Sequence, residues 1–219
     1  IIEKSKLKAS DFLEVKPDDL EFSEGNFTIK GTDKKINIFD ISKKIMNETS
    51  EEEHNKKLST FDSYTSGGPT FPNGCHVVEV EVDPETGFSR IDKYTVIDDF
   101  GIVLNPMIVE GQIHGGIAQG IGQALLEDTI YDETGQLVTG SFMDYTMPRA
   151  DNVPSIDISM NSFPCKTNPL GVKGAGEAGT TGATGAVINA IMNALSPLGV
   201  SHIEMPATPQ RIWESINKI

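Results

Sequence analysis

The sequence contains few cysteines, few basic residues and no long apolar run. Its two cysteines, Cys75 and Cys165, lie far apart and form no CxxC pair. We therefore expect neither a disulfide framework nor a zinc or iron–sulfur site in this chain. The 18 Lys and Arg residues are outnumbered by 32 Asp and Glu residues, which gives a net charge of −14. A chain of this charge is not expected to bind nucleic acid or an anionic membrane surface.

Signals for membrane insertion or export are missing as well. No apolar stretch approaches the roughly 20 residues that a membrane-spanning helix needs, and the first residues do not have the layout of a signal peptide. Together with the low cysteine content, this predicts a cytoplasmic protein. The chain opens within a helical pattern and without an initiator Met, so we expect it to be a fragment of a longer subunit.

The pattern of apolar residues predicts two parts. Residues 1–61 are expected to form a lead-in lobe of a helix, a hairpin and a second helix, with a mobile polar loop over 47–60. Residues 62–219 are expected to form the larger domain. Its strand pairs alternate in polarity around Gly-containing turns, notably 76–82 with 91–97. The other predicted strands are about 129–131, 137–138 and 156–160, and the predicted helices about 108–127, 181–195 and 208–217.

Strands in antiparallel runs with separate helices are typical of the α+β class. We therefore predict a mixed or antiparallel sheet with helices packed on one side, built as two closely packed lobes. A repeated βαβ pattern, which would indicate a parallel sheet, is not found in the sequence.

The first of two glycine-rich stretches lies inside a predicted helix. Five glycines occur between Gly111 and Gly122, and each costs roughly 1 kcal/mol relative to Ala in a helix. Either another backbone packs very closely against this helix, or a ligand does. Helix packing alone would explain these glycines. It would not explain Gln119, whose amide can both donate to and accept from a polar ring.

The second glycine-rich stretch, 169–185, opens into a largely apolar predicted helix. Free N–H groups at such a helix start can hold an anion. Glu177 does not suit a pure anion site, because its charge would repel the ligand. A carboxylate between glycines in an apolar, partly desolvated loop is better suited to act as a base. The simpler interpretation is an ordinary carboxylate in the first turn of a helix.

A dinucleotide site is the main alternative for this stretch, because residues 174–179 fit the GxGxxG pattern. That motif requires a buried strand immediately before it and an acidic residue about 20 residues later. Pro169 and Gly171 make a poor buried strand, and no Asp or Glu lies between Glu177 and Glu204. We therefore do not expect a Rossmann fold.

Taken together, these segments resemble the molybdopterin-binding large subunit of the xanthine dehydrogenase/aldehyde oxidase family, especially carbon monoxide dehydrogenase-like large chains. The resemblance covers 62–219 strongly and 1–61 loosely. The most specific block is Gly-Val-Lys-Gly-x-Gly-Glu at 171–177. The matching stretches are, in order, 78–87, 105–125, 144–150, 169–179 and 205–209.

The resemblance implies a site on these residues. Glu177 would be the general base at a molybdenum centre, in a reaction that oxidises an aldehyde, carbon monoxide or an N-heterocycle with oxygen derived from water. Gln119 would bond the pterin, and Lys173 would orient the loop that carries the base. The residues expected at the molybdenum–molybdopterin cofactor are Gln119, Gly116, Gly120, Lys173, Gly174 and Gly176.

The resemblance also implies partners. The family's upstream half carries further cofactor loops, so this chain would hold part of a site that the N-terminal half of the molybdenum subunit completes. It would then be inactive in isolation. FAD and [2Fe-2S] centres would be carried by partner subunits or domains. The alternative function is a non-catalytic assembly domain, in which the glycines serve helix packing and Glu177 has no catalytic role.

Overall fold

The computed structural model describes residues 1–48 and 58–218. The chain divides into two compact units, Ile1–Thr65 and Ser66–Ile219. Residues 49–57, the centre of the polar stretch predicted to be a mobile loop, lie outside the described residues.

The first unit packs two helices and a small antiparallel sheet around its own core. Strands β1, β2 and β3 lie in that order in the sheet. Gly25 provides the left-handed turn between β1 and β2, with φ +77°. The third strand has no counterpart in the sequence prediction. The elements are α1 (Ile2–Leu13), β1 (Leu20–Ser23), β2 (Asn26–Ile29), β3 (Lys35–Asn37) and α2 (Ile38–Glu48). The buried core residues are Ala9, Leu13, Leu20, Phe27, Ile36, Ile41 and Ile45.

The second unit contains a mixed sheet of three strands within the described residues. The hairpin of β4 (Asn73–Val82) and β5 (Ser89–Asp99) is antiparallel, and β6 (Ile156–Met160) pairs with β5 in parallel. The predicted α+β class is confirmed. The predicted strand pair near 130 and 138 is reduced to one isolated bridge between Tyr131 and Leu137.

The helices of this unit are α3 (Pro106–Leu125), α4 (Ala178–Leu195) and α5 (Pro209–Asn217). They begin within about three residues of their predicted starts. Isoleucines spaced four residues apart on α3, from Ile113 to Ile121, are fully buried against the sheet and α4. Among the described residues, no helix is long and apolar enough to cross a membrane.

The contact between α3 and α4 accounts for two of the helix glycines. A Cβ at Gly116 would lie 2.9 Å from the Thr180 nitrogen, and one at Gly120 would lie 2.6 Å from the Ala183 Cβ. Any side chain at these positions would force the helices apart. Gly111 and Gly115, in contrast, are exposed and have no atom within 4 Å of an added Cβ. Helix packing therefore explains Gly116 and Gly120, in agreement with the interpretation that another backbone packs closely against this helix.

Candidate functional site

A cavity of about 490 Å³ opens between the start of the hairpin and the start of α4. This volume lies within the range of small-molecule binding sites. Its wall consists of residues 70–74, His76, Asp98, Gly174, Gly176, Glu177, Ala178, Thr181 and Gly182. The cavity thus brings together three of the residues singled out in the sequence, Gly174, Gly176 and Glu177, with polar groups from the hairpin.

Glu177 lies at the N-cap of α4, and its side chain makes no capping hydrogen bond. The first N–H groups of the helix have no partner within the helix itself. The positive end of the α4 dipole therefore faces the cavity. The Glu177 side chain is exposed, so the described residues do not desolvate it. The expectation of an apolar, desolvated setting for this carboxylate is therefore wrong within this chain.

Lys173 anchors the loop before Glu177 instead of lining the cavity. Its backbone nitrogen donates to the Phe100 carbonyl at 2.8 Å, and its ammonium group forms an ion pair with Asp99. The Asp99 carboxylate also accepts from the backbone nitrogens of Gly101 at 2.8 Å and Phe163 at 3.0 Å. Burial acts to raise the pKa of Asp99, but these hydrogen bonds and the Lys173 charge outweigh it and lower the pKa to about 2.

Two glutamines of α3 hold the chain on either side of Glu177. The Gln112 side-chain nitrogen donates to the Gly176 carbonyl at 2.7 Å. The Thr180 hydroxyl lies 3.1 Å from the Gly116 carbonyl and 3.3 Å from the Gln119 Oε1. Gln112 was not singled out from the sequence. Its spacing of seven residues from Gln119, which sets both on one face of a helix, was the signal that could have found it.

A buried polar group lies beneath the other wall of the cavity. The β4–β5 register sets Gly74 opposite Asp98, and His76 opposite Val96. His76 is therefore diagonal to both Asp98 and Tyr94 on the same face of the sheet. His76 Nδ1 and the Tyr94 hydroxyl share a hydrogen bond of 2.7 Å, and His76 Nε2 lies 3.6 Å from Asp98 Oδ1. Burial, followed by the negative charge of Asp98, raises the pKa of Tyr94.

The remaining residues singled out in the sequence lie outside the cavity wall. Gln119 is exposed on α3, where its amide contacts Thr180. Gly116 and Gly120 are buried in the contact between α3 and α4. Among the described residues no cluster of three or more His, Cys, Asp or Glu side chains could hold a metal ion.

The family profile described as the molybdopterin cofactor-binding domain matches residues 1–154. The chain belongs to this family. It is 37% identical over its whole length to the 6-hydroxypseudooxynicotine dehydrogenase complex subunit gamma of Paenarthrobacter nicotinovorans, of which it covers 28%. It is 30% identical over 98% of its length to the carbon monoxide dehydrogenase large chain of Hydrogenophaga pseudoflava, of which it covers 27%.

Solved structures agree with this assignment. The chain superimposes on quinoline 2-oxidoreductase from Pseudomonas putida 86 with a TM-score of 0.83, at 36% identity, over 99% of this chain and 28% of that one. It superimposes on a Cu,Mo-CO dehydrogenase with the same TM-score of 0.83, at 29% identity, over 99% of this chain and 27% of that one. The chain therefore spans about a quarter of the length of these relatives, and the resemblance stated from its motifs is confirmed.

Proposed function

We propose that this chain forms part of the cofactor-binding large subunit of a molybdenum hydroxylase, with Glu177 as the general base. The enzyme oxidises a small substrate with oxygen derived from water. The observation that carries the proposal is the position of Glu177, on the wall of a ligand-sized cavity at a helix start that no side chain caps. Membership of the molybdopterin cofactor-binding family supplies the chemical context.

The residues at the cavity fit a pterin cofactor. A Cβ on Gly176 would have no atom within 4 Å, and one on Gly174 would be 3.6 Å only from the Thr70 carbonyl. The backbone there is open to close approach by a ligand. The N–H groups at the start of α4 suit an acceptor or a negatively charged group, and the side chains of Asp98 and His76 add polar contacts on the opposite wall. When bound, the cofactor supplies the redox chemistry.

The chain's own part in the reaction is to accept and hold a proton. Because the Glu177 carboxylate does not cap the helix, it can accept a proton from a group in the cavity. Gln112 and the Lys173–Asp99 ion pair hold the backbone that carries it. The exposed amide of Gln119, seven residues after Gln112 on α3, is available to the pterin.

An N-heterocycle is the substrate class we favour over an aldehyde or carbon monoxide. The relatives with 36–37% identity are named for nicotine, 6-hydroxypseudooxynicotine or quinoline, whereas the carbon monoxide dehydrogenases have 29–31%. The remainder of the molybdenum subunit, together with iron–sulfur and FAD subunits, completes the enzyme. We infer that the chain is inactive without them, because it spans about a quarter of such subunits.

The substitution Glu177→Gln, made in the complete subunit within its assembled complex, tests the proposal. Loss of the base should lower kcat by about 10²–10⁴-fold, while molybdenum and pterin contents stay at the wild-type level. Glu133→Gln, at an exposed turn outside the cavity, is the matched control and should retain full activity. Full activity of the Glu177→Gln enzyme would contradict the role of the base.

A non-catalytic assembly role is the second candidate, and exposed apolar side chains favour it. Phe142 is 81% exposed, Met143 is 95% exposed and Met107 is 76% exposed. Exposed apolar residues of this size are common in interfaces. This alternative predicts a stable complex that contains neither molybdenum nor pterin and whose properties Glu177→Gln leaves unchanged.

A further inference from the structure

The carboxylate of Asp98 is buried, and among the described residues its Oδ2 receives no hydrogen bond. The residue is 2% exposed. Its Oδ1 lies 3.6 Å from His76 Nε2, which is longer than a hydrogen bond. A buried polar group without such a partner is costly, and proteins usually keep one only where something else compensates it.

The surrounding backbone accommodates these two polar side chains. A Cβ on Gly74 would collide with the Asp98 carboxylate, and a Cβ on Gly182 would collide with the His76 ring. Neither glycine has a positive φ, so each is explained by the space that it leaves for the neighbouring side chain. The Tyr94 hydroxyl forms its hydrogen bond with His76 Nδ1, and Asp98 Oδ2 has no hydrogen-bond partner among the described residues. The donor that Asp98 lacks must therefore come from outside this group.

The cavity is the place from which such a donor can come, because Asp98 and His76 both line it. The same cavity contains the start of α4, whose N–H groups are donors. A carboxylate acceptor on one wall and backbone donors on another complement a ring that carries an N–H beside a carbonyl. Nitrogen heterocycles of the lactam type have this arrangement of donor and acceptor.

We propose that Asp98 is a ligand-binding residue that accepts a hydrogen bond from an N–H group of a nitrogen heterocycle in this cavity. The inference rests on the proposed function. Two molecules can supply this chemistry, the pterin ring of the cofactor and a heterocyclic substrate. Gly74 leaves room for the carboxylate, and His76 Nε2 lies 3.6 Å from its Oδ1.

The test is Asp98→Asn in the complete subunit and its complex. The amide keeps the shape of the side chain but replaces one acceptor oxygen by a donor, which repels the ligand N–H. Asp92→Asn is the matched control, because Asp92 is on the same strand, exposed and away from the cavity. Three quantities are measured: pterin retained after dialysis, KM, and the melting temperature of cofactor-free enzyme from cells that cannot make molybdopterin.

A charge-assisted hydrogen bond to the ligand corresponds to about a tenfold to hundredfold loss of affinity when it is removed. If the pterin is the donor, Asp98→Asn loses pterin faster than Asp92→Asn by this factor. If the substrate is the donor, pterin content is unchanged and KM rises by this factor. In either case the cofactor-free variant melts at the same temperature as wild type or higher, because Asp98 Oδ2 has no hydrogen bond to lose among the described residues.

The inference is overturned if Asp98→Asn matches the control in both pterin retention and KM. It is also overturned if the cofactor-free variant melts well below wild type or fails to fold, because Asp98 then has a structural partner. Wild-type enzyme without pterin would contradict the proposed function and this inference together. Wild-type enzyme that contains pterin, with no effect of Asp98→Asn, would contradict the inference alone.

Discussion

The side-chain amide of Gln112 donates a 2.7 Å hydrogen bond to the carbonyl of Gly176, the residue immediately before Glu177. The bond links α3 to the start of α4 across 64 residues of sequence. Because the glycines at 174 and 176 give the backbone before Glu177 many allowed conformations, this contact restricts the segment that carries the proposed base. We therefore expect Gln112 to position the proposed base.

Removal of this contact by Gln112→Ala should lower kcat about tenfold and leave KM within about twofold, because a misplaced base slows the reaction more than it weakens binding. Steady-state kinetics of the assembled enzyme measure both constants. Gln123→Ala, an exposed position on the same helix, should leave kcat unchanged. Equal effects of the two substitutions would show that Gln112 contributes only to the stability of α3.

The Asp99–Lys173 ion pair predicts a dependence of stability on acid pH. The folded-state pKa of Asp99 is lowered from 3.8 to about 2, so the folded protein is stabilised above pH 4 and loses that stabilisation as the pH falls through 2. A shift of this size corresponds to about 2 kcal/mol. Asp99→Asn should therefore lower the urea midpoint of the subunit at pH 6 and have little effect at pH 2.

Lys173→Met provides the matching measurement from the other side of the ion pair. It leaves Asp99 with its backbone donors from Gly101 and Phe163. The loss of stability at pH 6 should therefore be smaller than or similar to that caused by Asp99→Asn, and it should also decrease at low pH. A constant difference from wild type at all pH values would show that the pair contributes through packing and not through charge.

The glycines of α3 predict opposite results at two positions on one helix. Gly116→Ala inserts a methyl group 2.9 Å from the Thr180 nitrogen and should destabilise the protein by about 1–3 kcal/mol. Gly111→Ala adds a methyl group with no atom within 4 Å and should be neutral or stabilising by up to about 1 kcal/mol. Melting temperatures of the two variants check this. A similar loss at both positions would contradict the packing explanation.

Much of the local structure followed from patterns of neighbouring residues. Alternation predicted β4 and β5, and the helical period predicted α3 and α4 within a few residues. Such patterns reflect which side of an element faces the core, and that is a local property. They did not predict that β6 runs parallel to β5, because the direction of pairing depends on how the chain returns to the sheet.

The sequence also predicted only part of the candidate site. The glycine-rich run around Glu177 indicated a loop that opens into a helix. This could be predicted because the backbone freedom of glycine is a local property. The apolar, partly desolvated setting expected for Glu177 is not provided by this chain, in which the side chain is exposed. Lys173 turned toward Asp99, a residue 74 positions earlier, and no pattern along the chain reports a contact of that kind.

By itself, then, the sequence determined the class of the fold, the family of the chain and the segment that carries Glu177, because all three depend on short motifs and on polarity at fixed spacing. Only the tertiary structure decided which side chains share the cavity. The β4–β5 register brings His76 beside Asp98 and Tyr94, and the α3–α4 contact buries Gly116 and Gly120 while it leaves Gln112 at the loop. Register and helix packing are set by the best fit of whole surfaces, and that fit exists only once the chain has folded.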